Sequence, residues 1–151
     1  MALIVEDEAP VRHIIKRGLA RLGSRVLEAD DGESALGVAA AYNGPIDIVL
    51  TDLIMPRMSG GEFVRHLVQS RPDIHIVLIS GYLDNHVIRE SLGNVPCTFL
   101  PKPFTREQLD AAISRAAGVR RDATKSLIDG EPGVLPVEYQ NDAIDDNVDA
   151  G

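Results

Sequence analysis

Short runs of apolar residues alternate along most of the chain with segments whose apolar residues recur every three or four positions. The continuous runs are typical of strands buried on both faces, and the spaced segments are typical of amphipathic helices. Strands are predicted at residues 2–5, 25–29, 46–51, 74–79 and 97–100. Helices are predicted around residues 10–22, 35–40, 63–67, 84–92 and 105–116. This alternation predicts an α/β fold with a parallel sheet and right-handed crossovers.

The composition changes after Gly118. Residues 119–151 contain three Lys or Arg residues against eight Asp or Glu residues, and several Gly and Pro residues interrupt any helical pattern. A polar, strongly acidic segment of this kind is typical of disorder. We therefore expect one folded domain over residues 1–118, followed by an acidic and disordered tail over residues 119–151.

Charge and cysteine content exclude several classes of protein. The formal net charge of −8 argues against a nucleic-acid-binding surface and against adhesion to an anionic membrane. Cys97 is the only cysteine, which rules out an intrachain disulfide, and neither a signal peptide nor a membrane-spanning run is visible. We expect a soluble cytoplasmic protein that binds neither nucleic acid nor membranes.

Acidic residues follow or close two of the predicted strands. Glu6 and Asp7 follow the first strand, and Asp52 closes the third. These strands are neighbours in the common doubly wound order 2-1-3-4-5, so the three carboxylates should converge at one edge of the sheet. Clustered carboxylates repel one another, and a divalent cation relieves the repulsion. Oxygen ligands with room for water suit Mg²⁺, and Mn²⁺ fits the same ligands. Glu8 is expected to be a solvated residue of the first helical turn.

A hydroxyl and an ammonium group follow the next two strands. Ser80 comes after the fourth strand and Lys102 after the fifth. Hydroxyl, ammonium and metal together are the groups that neutralise a phosphoryl group in transfer reactions. The carboxylate of Asp52 is then the nucleophile, and the product is an aspartyl phosphate. A cis peptide bond between Lys102 and Pro103 would aim the lysine inward, but the sequence leaves the isomer open.

Together these residues resemble the receiver domain of bacterial two-component response regulators, which has a flavodoxin-like (βα)5 fold. The resemblance covers about residues 2–117, and four motifs in order at matching separations make it specific. The triplet Ser80-Gly81-Tyr82 is most similar to receivers of hybrid sensor histidine kinases or to stand-alone single-domain regulators. The motifs are Val5-Glu6-Asp7-Glu8, the segment from Thr51 to Gly60, Ser80-Gly81 and Lys102-Pro103-Phe104.

The resemblance implies a metal site and a phosphoacceptor. Asp52 would accept the phosphoryl group. Asp7, Asp52 and the backbone carbonyl of Ile54 would bind Mg²⁺ directly, and Glu6 would act through a metal-bound water. The phosphodonor would be a histidine kinase or a histidine phosphotransfer protein.

The resemblance also implies a switch. Lys102 would pair with the phosphoryl oxygens, Ser80 would move toward them, and Phe99 would turn inward as the aromatic switch residue. A protein-binding surface formed by helix 4, strand 5 and helix 5 would then change shape. Such a domain catalyses only its own phosphorylation and dephosphorylation. We expect a monomer or weak dimer, and the downstream protein target is unknown.

Three alternatives remain open. A pseudo-receiver would bind partners without being phosphorylated, although intact Glu6, Asp7, Asp52 and Lys102 argue against it. An aspartyl-phosphate phosphohydrolase of the haloacid-dehalogenase type would carry a second aspartate two residues after the nucleophile, where this chain has Ile54. A flavin-binding protein is the weakest reading, because acidic residues stand where its phosphate-binding loop would follow the first strand.

Overall fold

One parallel sheet with helices on both faces forms the domain in the computed structural model, which describes residues 1–81 and 85–116. The strand order is β2-β1-β3-β4-β5, which confirms the predicted doubly wound fold. Tyr82 and the predicted tail over residues 119–151 lie outside the described residues. The strands are β1 (Ala2–Val5), β2 (Val26–Ala29), β3 (Ile48–Asp52), β4 (His75–Ser80) and β5 (Thr98–Pro101).

Helices connect successive strands and follow the last one, and side chains cap the first turns of three helices. The side chains of Asp31 and Ser59 each accept a hydrogen bond from an amide in the first turn of α2 and α3. Thr105 and Gln108 form a reciprocal capping box at the start of α5. Within the ranges that the structure describes, no helix is long and apolar enough to cross a bilayer. The helices are α1 (Ala9–Arg21), α2 (Gly32–Ala41), α3 (Gly60–Ser70), α4 (Asn85–Leu92) and α5 (106–116).

The core lies in two layers because both faces of the sheet are covered. Alternate residues of β1 belong to different layers, as the two-residue period of a strand requires. Leu3 and Val5 pack with apolar residues of α2, α3 and α4, whereas Ala2 and Ile4 pack with those of α1 and α5. All four are fully buried. This explains why β1 is a continuous apolar run rather than an alternating one.

Two strands end one residue later than the apolar pattern predicts. Asp52 pairs with Ile79 in the parallel ladder between β3 and β4, and Ser80 pairs with Pro101 between β4 and β5. Both polar residues therefore belong to the strands and not to the loops that follow them. The sheet backbone holds them at its carboxyl edge, where ligands of such folds bind.

Candidate metal-binding site

Four carboxylates meet at the carboxyl edge of β1 and β3. One oxygen from each of Glu6, Asp7, Glu8 and Asp52 lies within 4.8 Å of the others. Glu6 and Asp52 are buried, whereas Asp7 and Glu8 are exposed. The structure thus brings together Glu6, Asp7 and Asp52 as the strand order predicts, and Glu8 joins them. The unbroken acidic triplet from Glu6 to Glu8 was the signal that could have included Glu8.

Lys102 is the cation that faces this cluster. Its Nζ lies 3.0 Å from Oδ2 of Asp52, 3.1 Å from Oε2 of Glu6 and 3.6 Å from Oε1 of Glu8. Its backbone amide donates to the carbonyl of Ser80 at 2.9 Å, which continues the β4–β5 ladder. The peptide bond from Lys102 to Pro103 is cis. One lysine therefore contacts three of the four carboxylates.

The protonation of the cluster reflects this excess of negative charge. Burial, and then the charge of Asp52, raise the pKa of Glu6 to about 7, although the Glu8 amide and Lys102 oppose the rise. Burial acts to lower the pKa of Lys102, but its hydrogen bond to Asp52 and the nearby negative charges outweigh it, so that pKa is raised. The lysine is therefore charged at neutral pH, and it does not fully neutralise the carboxylates.

The geometry fits an oxygen-ligated divalent cation. Oε2 of Glu6 is buried and has no hydrogen-bond donor in acceptable geometry, although Lys102 Nζ is close to it. Lys102 offsets part of the cost of burying this oxygen, and a divalent cation or a bound water would offset the rest. Oδ1 of Asp52 accepts only a long 3.2 Å hydrogen bond from the amide of Ile54. The donor set that the structure brings together is carboxylate oxygen, which suits Mg²⁺.

A close backbone contact shapes the loop that follows Asp52. A Cβ atom at Gly60 would collide with the backbone carbonyl oxygen of Asp52. The amide of Gly60 donates to the carbonyl of Leu53 at 2.8 Å, and the hydroxyl of Thr51 donates to the carbonyl of Asp52 at 3.0 Å. Only glycine allows the start of α3 to approach β3 this closely. Hydrogen bonds made by the residues before and after Asp52 therefore hold the end of β3 in place.

The remaining predicted site residues occupy distinct environments. Ser80 is buried at the end of β4, one position beyond the partner of Asp52. Phe99 is 8% exposed and packs in the core layer that contains α3 and α4. The side chain of Ile54 points outward and is 57% exposed. Phe99 thus already lies inward in this structure.

Sequence reasoning missed an arginine that supports the β1–α1 turn. Nη1 of Arg12 donates to the backbone carbonyl of Glu6 at 2.7 Å, and Nε lies 3.6 Å from Oε1 of Glu28. Arg12 thus links the first acidic segment to β2. No motif marks such a contact, because it depends on how the first turn of α1 sits above the sheet.

The sequence of the domain matches a known family over most of its length. Residues 2–114 match the model of the response regulator receiver domain. The chain belongs to this family. The matched residues include the acidic residues 6–8, Asp52, Ser80 and Lys102. The match places the chain among the proteins of two-component signalling.

Individual relatives agree with this assignment. The chain is 38% identical over 111 residues to the sensor kinase CckA of Brucella abortus, covering 74% of this chain but 12% of that kinase. It is 30% identical over 113 residues to the response regulator receiver protein CpdR of the same organism, covering 75% of this chain and 92% of the relative. A receiver domain protein from Clostridium thermocellum superimposes with a TM-score of 0.67 at 29% identity, covering 80% and 95% of the two chains. The receiver fold and family predicted from the motifs are therefore confirmed.

Proposed function

We propose that this receiver accepts a phosphoryl group on Asp52 from a histidine kinase or a histidine phosphotransfer protein, in the presence of Mg²⁺. The observation that carries the proposal is the placement of Lys102 Nζ 3.0 Å from Oδ2 of Asp52 inside a cluster of three further carboxylates. A cation beside the nucleophile and an acidic metal site beside both are what phosphoryl transfer to a carboxylate requires.

The end of β3 holds the carboxylate of Asp52 where it can act as the nucleophile. An oxygen of its carboxylate forms a bond to phosphorus while the bond from phosphorus to the donor's imidazole nitrogen breaks, and the electron pair of that bond returns to the imidazole. Lys102 stays within reach of the phosphoryl oxygens, and the hydroxyl of Ser80 donates to them. Asp7, Asp52 and the Ile54 carbonyl would hold Mg²⁺, with Glu6 acting through a water, and the ion supplies neutralising charge to the phosphoryl oxygens. Mn²⁺ would substitute in the same ligands.

Phosphorylation then acts as a switch on a binding surface. Charge added at the edge of β3 draws Ser80 and Lys102 toward the phosphoryl group. Ser80 is the last residue of β4, and Lys102 directly follows β5. Their movement is therefore transmitted to Phe99 and to the surface of α4, β5 and α5. The output is binding to a protein partner, by a domain that is a monomer or weak dimer. The domain loses its phosphoryl group by self-catalysed hydrolysis and turns over no separate substrate.

Intact-mass spectrometry after incubation with acetyl phosphate and Mg²⁺ tests the proposal. The protein should gain one phosphoryl group, and the gain should disappear in Asp52→Asn and in EDTA. Asp73→Asn, at an exposed aspartate outside the site, is the matched control and should be phosphorylated normally. No gain in the unaltered protein would favour an unphosphorylated pseudo-receiver. Steady release of phosphate from many phosphoesters would favour a phosphohydrolase.

A further inference from the structure

The loop between β3 and α3, residues 53–59, is fixed at both ends. At its start, the amide of Ile54 donates to Oδ1 of Asp52. At its end, the amide of Gly60 donates back to the carbonyl of Leu53. Between these ends, Arg57 has a φ of 70°, the left-handed conformation that non-glycine residues rarely adopt. A non-glycine residue persists in this conformation where the surrounding contacts determine it.

Asp31 is the partner that holds Arg57. The guanidinium of Arg57 pairs with Oδ2 of Asp31, whose side chain is 4% exposed. Oδ1 of the same carboxylate accepts a 2.7 Å hydrogen bond from the amide of Ser34 and so caps α2. The hydrogen bond from Ser34 and the charge of Arg57 keep the pKa of Asp31 below its ordinary value. Each oxygen of this buried carboxylate thus has its own donor.

Close packing accompanies this ion pair. A Cβ atom at Gly32, the residue after Asp31, would lie 3.2 Å from Cβ of Met58 and 3.1 Å from Cβ of Phe63. Met58 follows Arg57 directly, so the middle of the loop is pressed against the N-terminus of α2. The N-terminus of α2 thus contacts the loop that carries Ile54.

We propose that Arg57 and Asp31 form a latch that positions the β3–α3 loop, and with it the backbone carbonyl of Ile54, for Mg²⁺ binding beside Asp52. Arg57 is a positioning residue: it acts through Met55 and Pro56, the two residues that separate it from Ile54. The inference rests on the proposed metal-dependent function. Groups that orient metal ligands from outside the ligand set contribute strongly to affinity because they remove the freedom of the ligand to turn away.

Substitutions can remove the latch without damaging the fold. Arg57→Gly deletes the guanidinium and accepts a φ of 70° without strain. Asp31→Asn deletes the charge and keeps a side-chain oxygen that can still cap α2. Arg57→Lys keeps the charge and should retain part of the Mg²⁺ affinity that Arg57→Gly loses. Arg65→Ala removes an exposed arginine from the middle of α3 and controls for the general loss of positive charge.

Mg²⁺ dissociation constants, measured by titration of backbone amide chemical shifts in the protein without phosphodonor, provide the test. Arg57→Gly and Asp31→Asn should each weaken Mg²⁺ binding by about tenfold, and the double variant should bind no more weakly than either single one. Arg65→Ala should bind as the unaltered protein does. A cooperative melting transition of each variant in EDTA, above the temperature of the titration, shows that the variants remain folded. The phosphorylation rate with acetyl phosphate should fall at low Mg²⁺ and recover at saturating Mg²⁺.

Three results would overturn the latch. Unchanged Mg²⁺ affinity in Arg57→Gly would show that the ion pair does not position the site. Independent, multiplicative losses in the double variant would show that the two residues do not act together. Absence of Mg²⁺ binding by the unaltered protein would overturn the metal site of the proposed function, and the latch with it. The first two results leave the proposed function intact, so the two failures are distinguishable.

Discussion

Nζ of Lys102 lies 3.0 Å from Oδ2 of Asp52, although 50 positions separate the two residues in the sequence. The same nitrogen is 3.1 Å from Oε2 of the fully buried Glu6. One ammonium group therefore faces two buried carboxylates, with two exposed ones beside them. This imbalance makes the site receptive to a divalent cation, and it also makes the stability of the domain depend on Lys102, on pH and on the ion.

Removing the Lys102 charge should destabilise the metal-free protein. Lys102→Met leaves Asp52 and Glu6 without their cation, so we expect a loss of about 2–4 kcal/mol in the free energy of unfolding in EDTA at pH 8. The loss should be smaller at pH 6, because Glu6 can then be protonated. Urea denaturation measures both values.

Lys16→Met is the matched control for that change. Lys16 pairs with Glu28 at 2.8 Å on the surface, where its side chain is 49% exposed. An exposed pair contributes at most about 1 kcal/mol. Equal losses for the two lysine variants would contradict the account of the site.

The pH dependence of stability should report Glu6. Its pKa is raised to about 7, so the folded state holds this proton more tightly than the unfolded chain does. Stability from this group is therefore present at low pH and is lost as pH rises from about 4.5 through about 7. At about 1.4 kcal/mol for each pH unit between 4.5 and about 7, the loss in EDTA should be roughly 3–4 kcal/mol. Glu6→Gln should flatten this part of the profile.

The same proton should compete with the metal. Mg²⁺ binds the ionised carboxylate, so its affinity for the unaltered protein should fall as pH drops below about 7. Parallel stability profiles for the unaltered protein and Glu6→Gln would contradict the raised pKa. An Mg²⁺ affinity that does not change between pH 8 and pH 6 would contradict its role at the metal.

The contact between α3 and the end of β3 should tolerate no side chain. Gly60→Ala places a methyl group against the carbonyl oxygen of Asp52, and we expect a loss of about 3 kcal/mol together with weaker Mg²⁺ binding. Gly37→Ala is the control, because a Cβ there meets open space in the middle of α2. That change should stabilise the domain by roughly 0.5–1 kcal/mol. Thermal and urea denaturation of both variants check the prediction, which a well-tolerated Gly60→Ala would refute.

Arg71 should stabilise the C-terminal end of α2. Its guanidinium donates to the carbonyls of Ala39, Tyr42 and Gly44 at 2.7–2.9 Å. Arg71→Met leaves these carbonyls without their charged donor, so we expect a loss of about 2–4 kcal/mol in urea denaturation. Arg65→Met, at an exposed position of α3, should change stability by less than about 0.5 kcal/mol. Similar effects of both changes would show that the three carbonyls find other partners.

Much of the fold and of the site could be predicted from the sequence because apolar runs mark buried parallel strands. The predicted strand at residues 46–51 and its closing Asp52 located the nucleophile, and the strand order placed Asp7 beside it. The apolar pattern ended β3 and β4 one residue early, since Asp52 and Ser80 are polar although the ladder continues through them. Backbone pairing, which hydropathy does not report, decides where those strands end.

The supporting contacts could not be predicted. Arg57 pairs with Asp31 across 26 positions, and Arg71 reaches carbonyls at the end of a different helix. Such contacts depend on the packing of α2 against α3 and on a single left-handed residue, and neither leaves a local pattern. The cis bond at Lys102-Pro103 was likewise open from sequence, because either isomer is allowed before proline.

The central claim is that Asp52 itself carries the phosphoryl group, and chemical trapping of that residue tests it most directly. The protein is incubated with acetyl phosphate and Mg²⁺, reduced with borohydride, which converts an aspartyl phosphate to homoserine, and digested for sequencing by mass spectrometry. The account predicts homoserine at position 52 only, and none when EDTA is present. Homoserine at position 7, or an unmodified Asp52 in protein that has gained a phosphoryl group, would contradict it.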